Sequence, residues 1–555
     1  MKKILTLSCA LIGMLFAKAQ TSQPLIQYGF DVIPNSINLN PAFQTEKPIF
    51  IGIPVLGGIN LSMFSNELTF SDIITRESST RTIVDRDKIS ETITDKSYIN
   101  TQFSTDILLG GFRAYNGGYW SGGFKLNTEL DIRFSNDMMD FLLYGNYNPK
   151  VYNRWLDWSE FDGDATVYSE FHVGYSKDLN KRLRVGARLG FLSGLVHVGV
   201  TENSLKLKTD ENAAVPNTIH TNGVLNYSSA GIDFDAADGT DQVTLSPINF
   251  SNLGVSIDLG VDYMFNKKLY LSASVVDLGF IRWTDKARKI GVNIPEDWRY
   301  DGFTYEPNGD KTLDDEITEW SDNLENDINL DTTNNSSYTT YLQTKLFLSG
   351  KYRLNKKSSV NLTFKGEFDK TNFEPGISLA YQAKLTRFFD IVAGASYLDN
   401  QPALGIGFNV SAGPFNWFFM SDNINALTNP RETHGTNFST GMSLQFSKKK
   451  PTKQHGHTRW SEDERADKKK ISEKMKKKRA KKKKKEQRKK AKEAKRAAKE
   501  GKSSSKSKKT SSSSKEKSSS SKKSSKVKKN KKDKQKKSKS TVKNRTKKSK
   551  KTNEL

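Results

Sequence analysis

Apolar and polar residues alternate along long stretches of the middle of this chain. In residues 165–179, Phe171 and Val173 fall on one face, while Glu170 and His172 fall on the other. A period of two residues predicts β-strands, and helical periodicity is scarce. Many runs are long enough to cross a bilayer, which takes about 9–11 tilted residues, whereas strands of globular sheets have about five or six. Similar alternation recurs in residues 183–200, 255–265, 268–283, 340–354, 359–369, 375–385 and 403–413.

The connections between the predicted strands are of two kinds. Short ones contain Asn180, Asn266 or Asn355, each followed by two basic residues, and Asn favours tight turns. The others are long and polar, and short turns alternating with long loops are typical of outer-membrane barrels. The pattern predicts an all-β fold, a transmembrane antiparallel β-barrel of about 14 strands within a range of 12–16, although alternation by itself leaves a soluble β-sandwich open. The long connections cover residues 74–102, 135–164, 201–250 and 284–338.

The first 19 residues have the features of a secretory signal peptide. Lys2 and Lys3 precede a short apolar run, and Ala17-Lys18-Ala19 gives the small-x-small pattern of a cleavage site. The apolar run is shorter than the roughly 20 residues that a membrane-spanning helix needs. The single cysteine, Cys9, lies within this segment. We therefore expect an exported protein whose mature chain forms no disulfide.

The charge is divided unequally along the chain. Residues 447–555 contain 49 Lys and Arg against 11 Asp and Glu, whereas the preceding residues contain 39 against 51. An acidic body thus carries a basic tail. The predicted organisation is a signal peptide at 1–19, a plug or a turn at the entrance of the barrel at 20–48, the barrel at 49–446, and a Lys/Ser-rich tail at 447–555 in the periplasm.

The last patterned stretch of the body resembles the closing strand of outer-membrane barrels. Gly441, Met442, Leu444 and Phe446 follow the order Gly-apolar-x-apolar-x-aromatic just before the basic tail begins. The apolar face of such a strand meets lipid, and a terminal aromatic residue lies at the membrane interface. We therefore predict that these residues form the signal that the barrel-assembly machinery reads, and that the barrel contacts outer-membrane lipid and lipopolysaccharide.

The tail has the composition of a segment without a packed core. Residues 461–500 are rich in helix-forming Ala, Glu, Lys and Arg, whereas Ser/Lys repeats after Gly501 predict disorder. In the periplasm its partners would be anionic surfaces or an envelope protein, with a solvated spacer as the alternative. Nucleic acid is not expected, because the chain is exported and Trp460 is the tail's single aromatic residue. The predicted polyanion-binding residues are Lys476, Lys477, Lys478, Arg479, Lys481, Lys482, Lys483, Lys484 and Lys485.

The sequence contains no recognisable catalytic motif. It lacks a Gly-rich phosphate loop, an HExxH zinc motif and a Gly-x-Ser-x-Gly elbow, so we expect neither an enzyme nor a cofactor. Its six histidines are scattered, and the close pair His455 and His457 has no further ligand nearby. Residues 296–331 contain 13 acidic residues, which could attract calcium, but their spacing does not match an EF-hand loop. Metal binding is left open.

Three stretches suggest a family resemblance. NSINLNPAFQ at residues 35–44, IGIPVLGGINLSMFSN at 51–66 and SVVDLGFIRW at 274–283 together resemble a Bacteroidota outer-membrane family. Asn40-Pro41-Ala42, shortly after the signal peptide, resembles the NPA motif of FadL-like barrels. FadL carries that motif in an N-terminal plug within the barrel and serves the uptake of long-chain fatty acids. The resemblance implies that Asn40, Pro41 and Ala42 lie in a plug or in a turn at the barrel entrance.

Two functional hypotheses follow from these observations. In the first, a non-enzymatic barrel anchors or scaffolds a cell-envelope complex, and the polycationic tail binds an anionic periplasmic surface or protein. In the alternative, the barrel is a FadL-like channel for a small hydrophobic solute. The lumen distinguishes them, because transport needs an apolar pocket with a lateral or axial opening, whereas an anchor can have a plugged, polar interior.

Overall fold

The computed structural model describes most of the chain between residues 23 and 446. No helix among the residues it describes is long and apolar enough to cross a membrane. The residues of the predicted signal peptide, most of the acidic segment 296–331 and much of the tail lie outside the described part of the chain. The described residues are 23–76, 81–211, 217–233, 247–296, 329–334, 336–369, 372–398 and 401–446, with a few residues of the intervening loops and most of 477–495.

Fourteen antiparallel strands form a closed barrel. The last strand pairs with the first, so that Ile51 lies opposite Leu444 and the sheet has no open edge. The predicted barrel and its strand number are therefore confirmed. In chain order the strands are β1 (Ile49–Gly52 and Ile59–Ser65), β2 (Ser97–Arg113), β3 (Tyr119–Phe134), β4 (Asp162–Asp178), β5 (Leu183–Asn203), β6 (Leu253–Met264), β7 (Leu269–Trp283), β8 (Thr344–Arg353), β9 (Ser358–Asp369), β10 (Asn372–Lys384), β11 (Phe389–Leu398), β12 (Gln401–Ala412), β13 (Phe415–Ser421) and β14 (Gly435–Phe446).

Alternation along each strand separates an apolar outer face from a polar inner face. On β4, Phe171 and Val173 are exposed on the outside, while Glu170 and His172 are buried on the inside. Water would not favour so many exposed Leu, Ile and Phe side chains, whereas lipid tails would. The exposed apolar set includes Leu108, Leu189, Phe191, Ile257, Leu259, Leu271, Leu348, Leu362, Leu379, Leu404, Ile406 and Leu444. The fold is a transmembrane β-barrel of the outer-membrane type.

The short turns lie at one end of the barrel and share one geometry. The side-chain oxygen of Asn266 accepts hydrogen bonds from the backbone N–H groups of Lys268 and Leu269, at 2.8 and 2.9 Å. Asn180 and Asn355 make the same pair of bonds in the turns after β4 and β8. Each Asn closes its turn through its own side chain, as the sequence predicted. We call this end of the barrel the short-turn end.

The opposite, long-loop end contains more ordered structure than the polar sequence of its loops predicts. Residues 218–230 pair with the end of β5 and with residues 288–294, and so continue the wall beyond the barrel. Helices in the first two long loops pack together around Ile89, Ile93 and Phe134. The additional strands are Ile74–Arg76, Thr82–Val84, Leu156–Asp157, Lys206–Asp210, Thr218–Ala230, Ile232–Asp233, Gln242–Val243, Arg288–Ile294, Arg299–Tyr300, Asn329–Asn334 and Tyr338–Tyr341. The α-helices are Phe70–Ile73, Arg86–Thr92, Asn136–Tyr144 and Asn425–Thr428, and a 3₁₀ turn covers Pro430–Glu432.

Residues 23–46 lie inside the barrel, and we call this segment the plug. It contains two short 3₁₀ helices, Leu25–Gln27 and Pro34–Asn38. Nearly all of its residues are buried, including the polar ones, because the closed wall surrounds it. In the tail, the described residues between 477 and 495 are helical and exposed, in agreement with the helix-forming composition there.

Candidate functional site

The plug places Asn40 of the NPA motif at the centre of a hydrogen-bond network. The side chain is fully buried, and its amide nitrogen donates to the Tyr28 hydroxyl at 2.9 Å and to the Ala273 carbonyl of β7 at 3.2 Å. Its oxygen accepts the N–H of Ala42 at 2.8 Å. Asn40 therefore holds the NPA turn in shape and ties it to the barrel wall, so the structure places this motif in the plug.

A notch in the wall receives this turn. Gly186 of β5 and Gly260 of β6 lie opposite each other in the sheet. A Cβ atom on Gly186 would collide with the Pro41 carbonyl, and one on Gly260 would collide with the Asn40 side chain. The two glycines are thus required by the close approach of the plug to the wall.

The plug packs against an apolar part of the inner wall. The ring of Tyr28 stacks on Phe347 of β8, with centroids 5.1 Å apart, and meets Phe43 edge to face at 5.3 Å. A second cluster joins Ile26 and Phe30 to residues of the later strands. The first cluster contains Leu25, Tyr28, Ile37, Leu39, Phe43, Phe50, Leu109, Tyr119, Val276, Phe347 and Leu398. Within its mostly polar inner face, the described barrel therefore has an apolar patch that the plug covers, and we call this patch the apolar lining.

The polar contacts between plug and wall all use side chains. At the start of the plug, the carboxylate of Asp422 accepts the backbone N–H groups of Leu25 and Ile26. Further along, Lys351 of β8 forms an ion pair with Asp31 at 3.0 Å. No strand pairing joins residues 23–46 to the barrel in the described structure. The plug is consequently held to the wall by packing and by side-chain hydrogen bonds, which can break without opening the sheet.

Charged side chains cross the inner wall behind the plug. Arg188 of β5 pairs with Asp258 of β6, and Lys345 of β8 pairs with Asp277 of β7 at 3.1 Å. Such buried ion pairs are costly to desolvate, so they are weak evidence of a purely stabilising role. The full set, which we call the charged belt, comprises Asp106, Lys125, Glu129, Glu170, His172, Arg188, Asp258, Asp277, Lys345, Lys365 and Glu367.

One plug residue is inserted between an acid and a base of the charged belt. The Asn38 side-chain oxygen accepts a hydrogen bond from Nη1 of Arg188 at 3.1 Å. Its amide nitrogen donates to Oδ2 of Asp106 at 3.4 Å, and Asn35 donates to the same oxygen at 3.0 Å. Asn38 thus bridges β2 and β5, which are separated in the wall by β3 and β4. We call Asn35, Asn38, Asp106 and Arg188 the lock.

The wall is irregular beside the lock. Residues 53–58 interrupt β1, and Val55 has a φ of 67°. The carbonyl of Gly57 accepts a hydrogen bond from Asn35 at 3.1 Å, so the plug contacts the interruption directly. A Cβ atom on Gly58 would collide with the side chains of Asn35 and Asp106. We call residues 53–58 the wall break; their backbone still bonds to both neighbouring strands, through Met442 on one side and Ile107 on the other. The wall break and the lock form one continuous site.

The matching family model is described as a family of unknown function, DUF5723, and it covers residues 41–422. The chain belongs to this family. No curated protein matches this DUF5723 chain. Among solved structures, it is similar to a Pseudomonas aeruginosa FadL homologue at 11% identity, covering 78% of this chain and 100% of that one, with a TM-score of 0.37. It is also similar to the Ralstonia pickettii toluene transporter TbuX, at 10% identity over 75% of this chain and 94% of that one, with a TM-score of 0.37.

The other residues singled out from the sequence lie apart from the plug. In this DUF5723 chain, β14 ends at Phe446, and Leu444 and Phe446 are exposed on the outer face. Gly441 packs against the carbonyl of Gly57 at the wall break, and Met442 exchanges backbone hydrogen bonds with the same segment. Their role as an assembly signal stays a prediction. Of the proposed polyanion-binding residues, Lys477, Arg479, Lys481, Lys483, Lys484 and Lys485 are helical and exposed, whereas Lys476, Lys478 and Lys482 lie outside the described residues.

The lock and the charged belt were missed from the sequence. A usable signal was present, because charged residues such as Arg188 and Asp258 stand at inward positions of otherwise apolar alternating runs. His172 and His197 are buried, and Nδ1 of His197 lies 2.8 Å from the Tyr338 hydroxyl, in keeping with lumen-facing or structural roles. Within the described part of the chain, no group of three or more His, Cys, Asp and Glu is placed to hold a metal ion.

Proposed function

We propose that this protein is a plugged outer-membrane channel that carries a small hydrophobic solute, and that the plug moves to open it. The observation that carries the proposal is the apolar lining of the wall around Phe347, against which Tyr28 of the plug packs. The lining offers a hydrophobic solute the same contacts that the plug makes.

The attachment of the plug supports movement. Its hydrogen bonds to the wall all involve side chains, so each contributes about 0.5–1.5 kcal/mol, or more where a charge takes part, and each can break singly. The wall break at residues 53–58 lies against the same plug segment, so displacement of Asn35 would also remove a hydrogen bond from this irregular part of the wall. The short-turn end would face the periplasm, with the tail emerging there after Phe446.

The anchoring hypothesis concerns mainly the tail. Residues 447–476 and 496–555 lie outside the described part of the chain, so polyanion binding by the tail stays a prediction. It is compatible with transport, since a tail could tether a channel as well as an inert barrel.

Uptake into intact cells tests the proposal. A Gram-negative host with a lipopolysaccharide leaflet excludes the dye N-phenyl-1-naphthylamine, which fluoresces once it reaches the membrane interior. In a host that lacks its own general porins, cells that produce the barrel should take up the dye faster than cells without it, while a hydrophilic sugar of similar size should stay excluded. A variant without residues 23–46 should admit both probes. Equal dye uptake with and without the folded barrel would overturn the proposal.

A further inference from the structure

The lock has the chemistry of a binding site that the plug itself occupies. Arg188 of β5, which also pairs with Asp258, presents donors to the plug, and Asp106 of β2 presents an acceptor that Asn35 also reaches. Arg188 is 5% exposed and Asp106 is fully buried, so both charges are shielded from water. Between them lies a single carboxamide, that of Asn38, whose oxygen faces the base and whose nitrogen faces the acid.

From this geometry we propose that the lock recognises a neutral carboxamide head group, and that the solute of the channel is an amide-bearing amphiphile. The inference rests on the proposed transport function and names its solute class. A carboxylate offers only acceptors and would be repelled by Asp106, while an ammonium group offers only donors and would be repelled by Arg188. A carboxamide places an acceptor and a donor side by side on one planar group, so it satisfies both wall residues together.

The surroundings of Asn38 fit the apolar part of such a solute. Its chain neighbours Ile37 and Leu39 are 4% and 5% exposed and belong to the first apolar cluster, as does Leu109 of β2. A polar head bound in the lock would therefore have its hydrocarbon chain in the apolar lining. The plug segment Ile37-Asn38-Leu39 presents the same combination of an amide beside apolar side chains.

Asp106 also has an unused acceptor. Its Oδ1 atom is buried and has no hydrogen-bond partner among the described residues, although Oδ2 receives both plug asparagines. A buried carboxylate oxygen without a donor is unfavourable. A primary amide has two N–H groups, so a bound head group could serve this oxygen as well as the one that Asn38 now reaches.

Displacement of the plug by three matched probes tests the proposal. Purified full-length protein in detergent at pH 8 would be titrated with octanamide, octanoate or octane, which share one chain length and differ in the head group. Hydrogen exchange of residues 34–39, followed by mass spectrometry, reports release of the lock. We expect octanamide to accelerate exchange at a concentration about tenfold lower than octanoate or octane, the loss expected for one unsatisfied buried polar group.

Two variants test whether the lock is the site that distinguishes the three probes. Asp106→Asn removes the negative charge, so the concentration of octanoate that accelerates exchange should fall relative to that of octanamide. Asn40→Ala also removes a buried plug amide, but one that faces the Tyr28 hydroxyl and backbone carbonyls, so it should loosen the plug without changing the order of the probes.

The outcomes separate the two proposals. Equal effects of the three probes, or an effect of octanoate at the lowest concentration, would overturn the amide site while leaving a hydrophobic channel in place. Release of the plug by none of the probes, together with normal dye uptake in cells, would likewise overturn the amide site. Failure of dye uptake in cells would overturn the channel itself.

Discussion

Replacement of Gly186 by Ala should loosen the plug without weakening the barrel. The added methyl group would meet the carbonyl of Pro41, a backbone atom that cannot move away by rotation of a side chain. Overpacking of this kind typically costs about 1–3 kcal/mol. Because about 1.4 kcal/mol corresponds to a factor of ten, the ratio of displaced to seated plug should rise about 5- to 150-fold.

The stability of the barrel itself should stay the same or rise. An interior Gly in a strand is less favourable than Ala by roughly 0.5–1 kcal/mol, so the wall should keep or gain stability. Hydrogen exchange of residues 34–43 would measure plug displacement, and heat-dependent mobility in detergent gels would measure unfolding of the barrel. Gly350→Ala is the matched control, because a Cβ atom there lies 3.8 Å from the nearest atom, on Leu271, which is ordinary contact.

Two results would refute this reasoning. Equal exchange in the Gly186 and Gly350 variants would mean that the notch does not hold the plug. Faster exchange across the wall strands of the Gly186 variant would mean that the methyl group disrupts the sheet rather than the plug.

Three further predictions concern other parts of the molecule. Asp422→Ala should free the start of the plug, because two buried N–H groups lose their acceptor at about 1–3 kcal/mol each; exchange there should rise more than in Asp422→Asn, which keeps one acceptor oxygen. Lys365→Met should lower barrel stability, because it removes the nearest cation from the buried Glu367, whose other cationic partner, Lys345, lies 4.0 Å away; the double replacement of Lys365 and Glu367 by Met should cost less in the same thermal assay. Deletion of residues 447–555 should abolish salt-sensitive binding to anionic vesicles and leave dye uptake unchanged; retained vesicle binding would contradict the polyanion role of the tail.

The barrel could be predicted from the sequence because the patterns that specify it involve residues close together in the chain. Alternation on strands such as β4 marks a wall with one lipid face, and run length separates a membrane strand from an ordinary one. The turns at Asn180, Asn266 and Asn355 were predictable for the same reason, since each Asn bonds to backbone groups two and three residues away.

The candidate site depends on contacts that local patterns do not encode. Arg188 finds Asp258 on the neighbouring strand and Asn38 in the plug, 150 positions earlier in the chain. The plug residues have no strand or helix period, because the surrounding wall rather than a sheet partner buries them. The NPA motif suggested a plug through resemblance, but the notch at Gly186 and Gly260 became apparent only from the fold.

The movement of the plug can be tested by tethering it. A Cβ atom on Gly394 of β11 would lie 2.9 Å from the Cγ2 atom of Ile26, close to the roughly 3 Å that separates a sulfur from the partner Cβ across a disulfide. It would also lie 2.8 Å from the Leu379 carbonyl, so the backbone must shift slightly to accept the cysteine, and the Gly394→Cys single variant controls for that shift. A disulfide in the double variant Ile26→Cys/Gly394→Cys would therefore tether the plug to the wall reversibly. The single cysteine of the natural chain, Cys9, lies in the predicted signal peptide.

Dye uptake by cells with this double variant is the most direct measurement of the central claim, with each single-cysteine variant as a control. A channel that opens by moving its plug should stop transporting under oxidising conditions and recover when a reductant is added, while the single variants should be indifferent to both. Equal uptake by the oxidised and the reduced double variant, with the disulfide verified by mass spectrometry, would contradict the account.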